Sequence, residues 1–388
     1  MQHNKAYIKA ALGAVLAGAV ALGAASHATQ LNYAVGFPTG AAPESAREYA
    51  KAVKTLSDGS LSVRVFDLSL LNLAEMSEGV NKGITDVGYV LTPYFPAEYP
   101  HINMASEVSM LLALNDNPHG KEGMAYGGAM AEFVLLNCPE CHADFAKQGQ
   151  VYTSGGASGP YGLLCNKPMR TRDDLRGARL RSGGAAWARW ATHFEASAVS
   201  MSGNEIYEAL SQGVVDCAII SATELSGLNL KDATTHITMN VPGGVFAGNS
   251  MASVNAGVWQ KLDEAQRKAM MRAGAVMGAE TSYRYDEYAR RDLDAAVKKG
   301  VQVHTADDAL VQASREFIRN DVRNVAQIYT EKHGVKRADE LLATLDTLVQ
   351  KWSGLISDVD NAQELAELYW NEVYSKVDVS THGMAASR

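Results

Sequence analysis

Short apolar strands alternating with amphipathic helices occur in this chain twice, and that repetition constrains its fold more than any other feature. Leu31 to Val35 alternates apolar and polar side chains ahead of Pro38-Thr39-Gly40, and Pro43 to Leu56 then sets Ala46, Tyr49, Ala50 and Val53 on one helical face. Leu61 to Phe66 reads as a second strand, Met76 to Lys82 as a second helix and Ile84 to Val90 as a third strand. The order β-α-β-α-β predicts a mostly parallel sheet covered by helices. A poorly periodic stretch from Tyr94 to Asn117 and a helix from about Glu122 to Leu136 follow, and then the pattern restarts. Val151 to Thr153, Tyr161 to Cys165, Ala178 to Arg181 and Val214 to Ile220 read as strands, with helices at Ala185 to Phe194 and Glu205 to Gln212 between them. Met251 to Val258 adds one more strand, and from Glu264 onward the chain is almost wholly helical. Two α/β units joined by repeated crossings leave a cleft, and ligands in open α/β sheets sit beyond the carboxyl ends of the strands.

The first residues place the protein outside the cytoplasm. Lys5 and Lys9 precede an apolar run from Ala10 to about Ala25, and Ser26-His27-Ala28 supplies the small residues at which a signal peptidase cuts, so residues 1–28 read as an export leader. The run is too short and alanine-rich to span a bilayer well, and no cysteine follows it, which argues against an anchor or a lipoprotein. Losing the two leader lysines takes the net charge from −8 to −10. So acidic a chain, with no basic cluster, is a poor match for nucleic acid or an anionic membrane surface.

Four cysteines in an oxidising compartment make disulfides the default. Cys138-Pro139-Glu140-Cys141-His142 has the spacing of a c-type haem attachment site, and it also admits a zinc, a thiol-redox or a simple disulfide reading. No second Cys/His pair lies nearby for zinc, and the motif follows the helix from Glu122, where a thioredoxin-like site would open a helix after a strand. A short disulfide tying off that helix is the main reading, with a c-type haem or thiol redox protein as the alternative from a different class. Cys165 and Cys217 fall on the first and third strands of the second unit, neighbours in a 2-1-3 strand order; they are either cross-linked or two buried thiols. The histidines show no catalytic or metal-ligating spacing, and no GxSxG elbow or P-loop is present, so neither catalytic residues, a metal nor a cofactor is expected.

The stretch "DDLRGARLRSGGAAWARWATHFEASAVSMSGNEIYEALSQGVVDCAI", residues 173 to 219, resembles the core signature of the substrate-binding proteins of tripartite ATP-independent periplasmic (TRAP) transporters, the DctP-like family. The resemblance is carried by Asp174-Leu175-Arg176-Gly177, a strand ending in Arg181, Met201, Glu205, Tyr207, Ala209-Leu210, Gly213 and Val215-Asp216. "SDGSLSVRVF", "AEMSEGVNKGITDVGYV" and "VNAGVWQKLDEAQRKAM" extend it to roughly residues 30–340. It implies a two-domain α/β periplasmic binding protein, type II-like, with a cleft and a helical C-terminal extension. Domain I would comprise residues 29–158 and 248–285, domain II residues 159–247 and 286–340, and the extension residues 341–388. It further implies no enzymatic activity, capture of a small organic acid, hinge closure, and delivery to TRAP membrane subunits, by a monomer rather than a homodimer.

By the same resemblance Arg181 is the carboxylate clamp, followed by Ser182 and Gly183 at a helix start whose free N–H groups favour negative charge. Where many relatives carry a second ligand arginine this chain has Tyr161; a Gln-Glu-Asn run is here Ala218-Ile219-Ile220, and a frequent aromatic is Gly203. With Phe37, Tyr89, Leu91 and Tyr94 from the first domain and Phe246 from the second crossing, the pocket reads as apolar and aromatic, suited to a monocarboxylate with an apolar or aromatic body. Asn72, Asn204, Ser221 and Asn249 are candidate hydrogen-bonding contacts. Ser202 and Ser221, each three residues before a glutamate, also fit helix capping. The final helix, Asn361 to Val377, sets Leu365, Leu368, Tyr369 and Trp370 near one face, for packing on the protein's own back or against a second copy.

Overall fold

The structure, a computed structural model, describes residues 28–115 and 120–384; the expected export leader lies outside them save for Ala28. The chain runs through β1 (Thr29–Ala34), α1 (Ala41–Leu56), β2 (Leu61–Phe66), α2 (Met76–Asn81), β3 (Val87–Leu91), α3 (Pro100–Glu107), α4 (Glu122–Glu132), α5 (Pro139–Lys147) and β4 (Gln150–Tyr152). The second unit holds β5 (Tyr161–Cys165), α6 (Arg172–Leu175), β6 (Arg179–Ser182), α7 (Ala185–His193), β7 (Ser197–Ser200), α8 (Ile206–Ser211), β8 (Cys217–Ser221), α9 (Glu224–Gly227) and β9 (His236–Thr238). The chain then returns through β10 (Asn249–Asn255), α10 (Ala256–Lys261) and α11 (Glu264–Lys298), and ends in β11 (Gln302–His304), α12 (Asp308–His333), α13 (Ala338–Leu355) and α14 (Ala362–Glu372).

Two sheets result, ordered β2-β1-β3-β10-β4 and β11-β9-β5-β8-β6-β7. Parallel pairing holds within β1, β2 and β3 and within β6, β7 and β8, as the β-α-β pattern predicts. The crossings change the rest. β10 re-enters the first sheet antiparallel to β3 and β4, and β5 enters the second antiparallel to β8 and β9, so both sheets are mixed rather than mostly parallel. β5 and β8 are neighbours as expected, but β8 lies between β5 and β6, which replaces the 2-1-3 order. The stretch from Tyr94 to Asn117 shows no period, yet its described part, as far as Asn115, is largely helical, with α3 and a 3-10 run from Val108 to Leu114. Nearly all of α3 is buried, and a helix buried all round has no polar face to mark its period.

The two connections between the sheets run side by side: the Ser158 N–H donates to Phe246 O (2.9 Å) and the Tyr161 N–H to Gly244 O (2.9 Å). Helix α11, 35 residues and about 52 Å long, backs this seam. Gly274 and Gly278, one turn apart, face it; a Cβ there would lie 2.0 Å from Thr153 O and 2.1 Å from Gly155 O, so only glycine lets the strap run this close. The C-terminal helices pack on the first unit. Trp352 of α13 lies against Gly128 of α4, where a Cβ would come within 2.3 Å of its ring, and its indole N–H donates to Glu132 Oε2 (2.7 Å). In α14, Leu365 and Tyr369 are buried and the Tyr369 hydroxyl donates to Met124 O (2.7 Å), so this face packs on the protein's own body.

Both cysteine pairs are disulfides, Cys138 to Cys141 and Cys165 to Cys217, the second joining directly opposed positions of β5 and β8. One premise of the sequence reading changes. The helix from Glu122 ends in a π-type turn at Phe133–Asn137, and Cys138 is itself the N-cap of α5, with its sulfur accepting the Cys141 N–H. The motif therefore opens a helix after all. Pro139 conceals this in the sequence, since proline breaks a helix interior yet suits a first turn. Both sulfurs are engaged in the bridge and both residues are only 1% exposed, which shields it from an attacking thiol.

The bridges close loops of different size, with sequence separations of 3 and 52 residues. Removing Cys165 and Cys217 together is expected to cost about 4 kcal/mol, against about 2 kcal/mol for the Cys138/Cys141 pair, because the longer loop restricts the unfolded chain more. Urea denaturation of the two double alanine variants measures this; equal losses would contradict the loop argument.

Candidate functional site

The strands end at a small cavity between the two units. Of the residues expected at the site, the structure brings Phe37, Tyr89, Leu91, Tyr94, Tyr161, Arg181, Ile220, Phe246 and Asn249 together around it. Its wall is completed by Leu73, Ser158, Gly203, Glu224, Leu228, Met251 and Tyr285, none of which but Gly203 the sequence reading singled out.

Arg181, the last residue but one of β6, lies between Val199 of β7 and Ala218 of β8, a position that aims it at the cavity while leaving it 1% exposed. Its Nε and Nη2 donate to Met201 O (3.2 and 3.0 Å), and Nη2 also donates to the Tyr94 hydroxyl (2.9 Å). No hydrogen bond engages Nη1 within the described residues. Gly183 makes room for this group: a Cβ there would lie 2.9 to 3.2 Å from the guanidinium atoms. The flanking arginines stay outside, with Arg179 paired to Asp216 (3.0 Å) and Arg176 to Asp173 and Glu195. The Tyr94 oxygen also accepts the Gly203 N–H (2.9 Å), so one hydroxyl from the first unit joins two groups of the second and keeps its own hydrogen for a further acceptor.

Aromatic rings form the walls. Tyr161 stacks on Trp187 with centroids 4.4 Å apart, and Phe246 lies parallel to Trp187 at 6.3 Å; Phe37 meets Tyr89 edge-on at 5.6 Å. The missing aromatic at Gly203 is offset by two leucines, Leu73 and Leu228, whose methyl carbons lie 3.3 and 3.2 Å from where a Cβ would be.

The remaining expected contacts sit elsewhere. Asn72 accepts from the Ala74 and Glu75 N–H groups in a tight turn. Asn204 bridges the units below the cavity, donating to Gly36 O (3.0 Å) and accepting the Leu73 N–H (3.0 Å). Ser182 and Gly183 line a second cavity of about 250 Å³ that adjoins the first at Tyr94. Ser221 is buried against Thr223, and α9 is not capped by a Ser221–Glu224 box; Ser202 and Glu205 do form the expected box. Asn249 lines the cavity, but its amide is taken by Gly156 N–H and C=O (3.3 and 3.0 Å), and the Ser158 hydroxyl pairs with Gly159 O and the Phe246 N–H.

Glu224 is the feature that the sequence concealed, because its spacing from Ser221 matches a helix cap. It is 4% exposed, its Oε1 accepts from the Tyr285 hydroxyl (2.8 Å), and its Oε2 has no partner within the described residues. Burial pushes its carboxyl up to about 7, against the opposing pull of Tyr285 and of Arg181. The cavity thus holds one permanent cation and one carboxyl poised between neutral and charged. Among the described residues no cluster of three or more metal-ligating side chains occurs.

A carboxyl raised in the fold binds its proton more tightly than in the unfolded chain. Its neutral form is accommodated below the unfolded value near 4.5, and stability falls as pH rises from there to about 7. The Glu224→Gln variant should therefore gain stability relative to wild type between about pH 5 and about pH 8, by roughly 2 to 3 kcal/mol. Urea melts of both proteins at the two pH values isolate this from Glu280 and Asp286, which burial also raises. A pH-independent difference would contradict the assignment.

A family model for bacterial extracellular solute-binding proteins of family 7, DctP, matches residues 40–328. A solute-binding protein of Albidiferax ferrireducens is 21% identical over 282 residues, 70% of this chain and 78% of its own length. Among solved structures, a Bordetella pertussis extracytoplasmic solute receptor binding pyroglutamic acid superposes with a TM-score of 0.66 at 20% identity, over 82% of this chain and 100% of that one. A marine metagenome TRAP solute-binding protein specific for aromatic acids, solved with 3-hydroxybenzoate, gives 0.69 at 17% identity, over 84% and 99%.

Proposed function

The chain belongs to the DctP family of TRAP solute-binding proteins, which are receptors and not enzymes, and from that premise we propose that it captures a monocarboxylate with an apolar or aromatic body in the cavity around Arg181. The single observation that carries the reading is a buried arginine with Nη1 unengaged, set among Phe37, Tyr89, Tyr161 and Phe246. A guanidinium in so dry a site is a strong partner for a carboxylate, and the flat rings accept a flat or apolar body. The Tyr94 hydroxyl supplies a second donor beside it. The absence of a second arginine, with Tyr161 in its place, disfavours a dicarboxylate, whose extra charge would be buried without a partner. What the relatives bind, pyroglutamate and an aromatic acid, is in keeping with this class.

Release to TRAP membrane subunits follows from the same reading, as does a periplasmic location set by the export leader, with the protein acting as a monomer. Closure joins the units through the Tyr94 hydroxyl, through Asn204, and through the Thr39 hydroxyl donating to Ser226 O (2.9 Å). A ligand on Arg181 adds to the closed state only, which is the condition for it to drive a hinge.

Isothermal titration with benzoate, phenylacetate, pyroglutamate and succinate tests the proposal. At least one monocarboxylate should bind and succinate should not. Arg181→Ala should weaken the binding by about 30-fold or more, and Arg181→Lys by less, since it keeps the charge but loses the fork. Undiminished binding by Arg181→Ala, or tighter binding of succinate, would overturn it.

A further inference from the structure

Glu224 adds a second requirement to the ligand. It stands just beyond the end of β8, in the wall of the cavity that holds Arg181. Tyr285 fixes one of its oxygens, and the other is buried without a partner. That oxygen packs beside Gly227, where a Cβ would lie 2.5 Å from it. A buried carboxyl oxygen left unpaired is costly, and proteins seldom keep one without use. Of the other polar side chains of the wall, Ser158 and Asn249 are occupied by backbone groups and the Tyr285 hydroxyl by Glu224 itself, while the Tyr94 hydroxyl keeps its hydrogen beside Arg181 and no hydrogen bond engages the Tyr89 or Tyr161 hydroxyl among the described residues. Oε2 is the carboxyl oxygen of this wall left over for a ligand.

We propose that the ligand is a hydroxylated monocarboxylate, with its carboxylate on Arg181 and its hydroxyl paired with Glu224 Oε2. The inference rests on the receptor reading above and narrows it. A hydroxyl suits this partner better than a group that only donates or only accepts, because it donates to the ionised carboxyl and accepts from the neutral one. Burial holds Glu224 near the point where both forms exist, in keeping with that choice.

The test measures dissociation constants for acids paired with their parents lacking the hydroxyl: the three hydroxybenzoates against benzoate, and mandelate against phenylacetate. The unaltered protein should bind at least one hydroxylated member about tenfold or more tightly than its parent. Glu224→Met, apolar and of similar length, should bring that ratio to about 1. Ratios near 1 in every pair for the unaltered protein overturn the proposal, even if the variant fails to fold. So does a high ratio that survives in Glu224→Met. If parents bind but hydroxyls add nothing, only this inference falls; if neither these acids nor pyroglutamate bind, the monocarboxylate reading falls and this one with it.

Discussion

The closed form of this molecule depends on how one buried guanidinium is paid for. Arg181 is taken out of water almost entirely, and what offsets that cost is the Met201 carbonyl from its own unit and the Tyr94 hydroxyl from the other. The second partner makes the arginine part of the interdomain contact. Tyr94 meets both Arg181 and the Gly203 N–H, so parting of the units would break both contacts at once. In the proposed function, binding and closure are coupled through this one side chain, with Nη1 held back for the ligand.

The rest of the fold keeps that arrangement in register. Gly183 and Gly203 give up side chains so that the guanidinium and the tyrosine can approach, and the glycine pair on α11 lets the first crossing lie against the helix. The Cys165–Cys217 bridge ties β5 to β8, fixing the strand that carries Tyr161 beside the strand that leads to Glu224. Because α11 packs on α1 of the first unit and on α9 of the second, it forms a common back to both.

Much of this was legible in the sequence. The period-2 strands and amphipathic helices are where the pattern put them, β2 and β5 to the residue, and Arg181 stood out through a signature spread over several elements. What stayed hidden has physical reasons. α3 is buried on all sides and shows no period, and α5 begins with a proline that reads as a break. The antiparallel entries of β5 and β10 depend on long crossings that local propensity does not encode. Glu224 was masked by spacing that imitates a cap, and only burial reveals it as part of the cavity wall. Asn204 and Ser221 carried the right chemistry at strand ends, but tertiary contacts use their polar atoms for holding the units together and for a local turn.

The most direct test of the account is a crystal structure of the protein with the tightest-binding monocarboxylate. The account predicts carboxylate oxygens within hydrogen-bond distance of Arg181 Nη1 and the Tyr94 hydroxyl, with the body of the acid among Tyr161, Phe246 and Phe37. A carboxylate bound away from Arg181, in the adjoining cavity beside Ser182 for example, would contradict it.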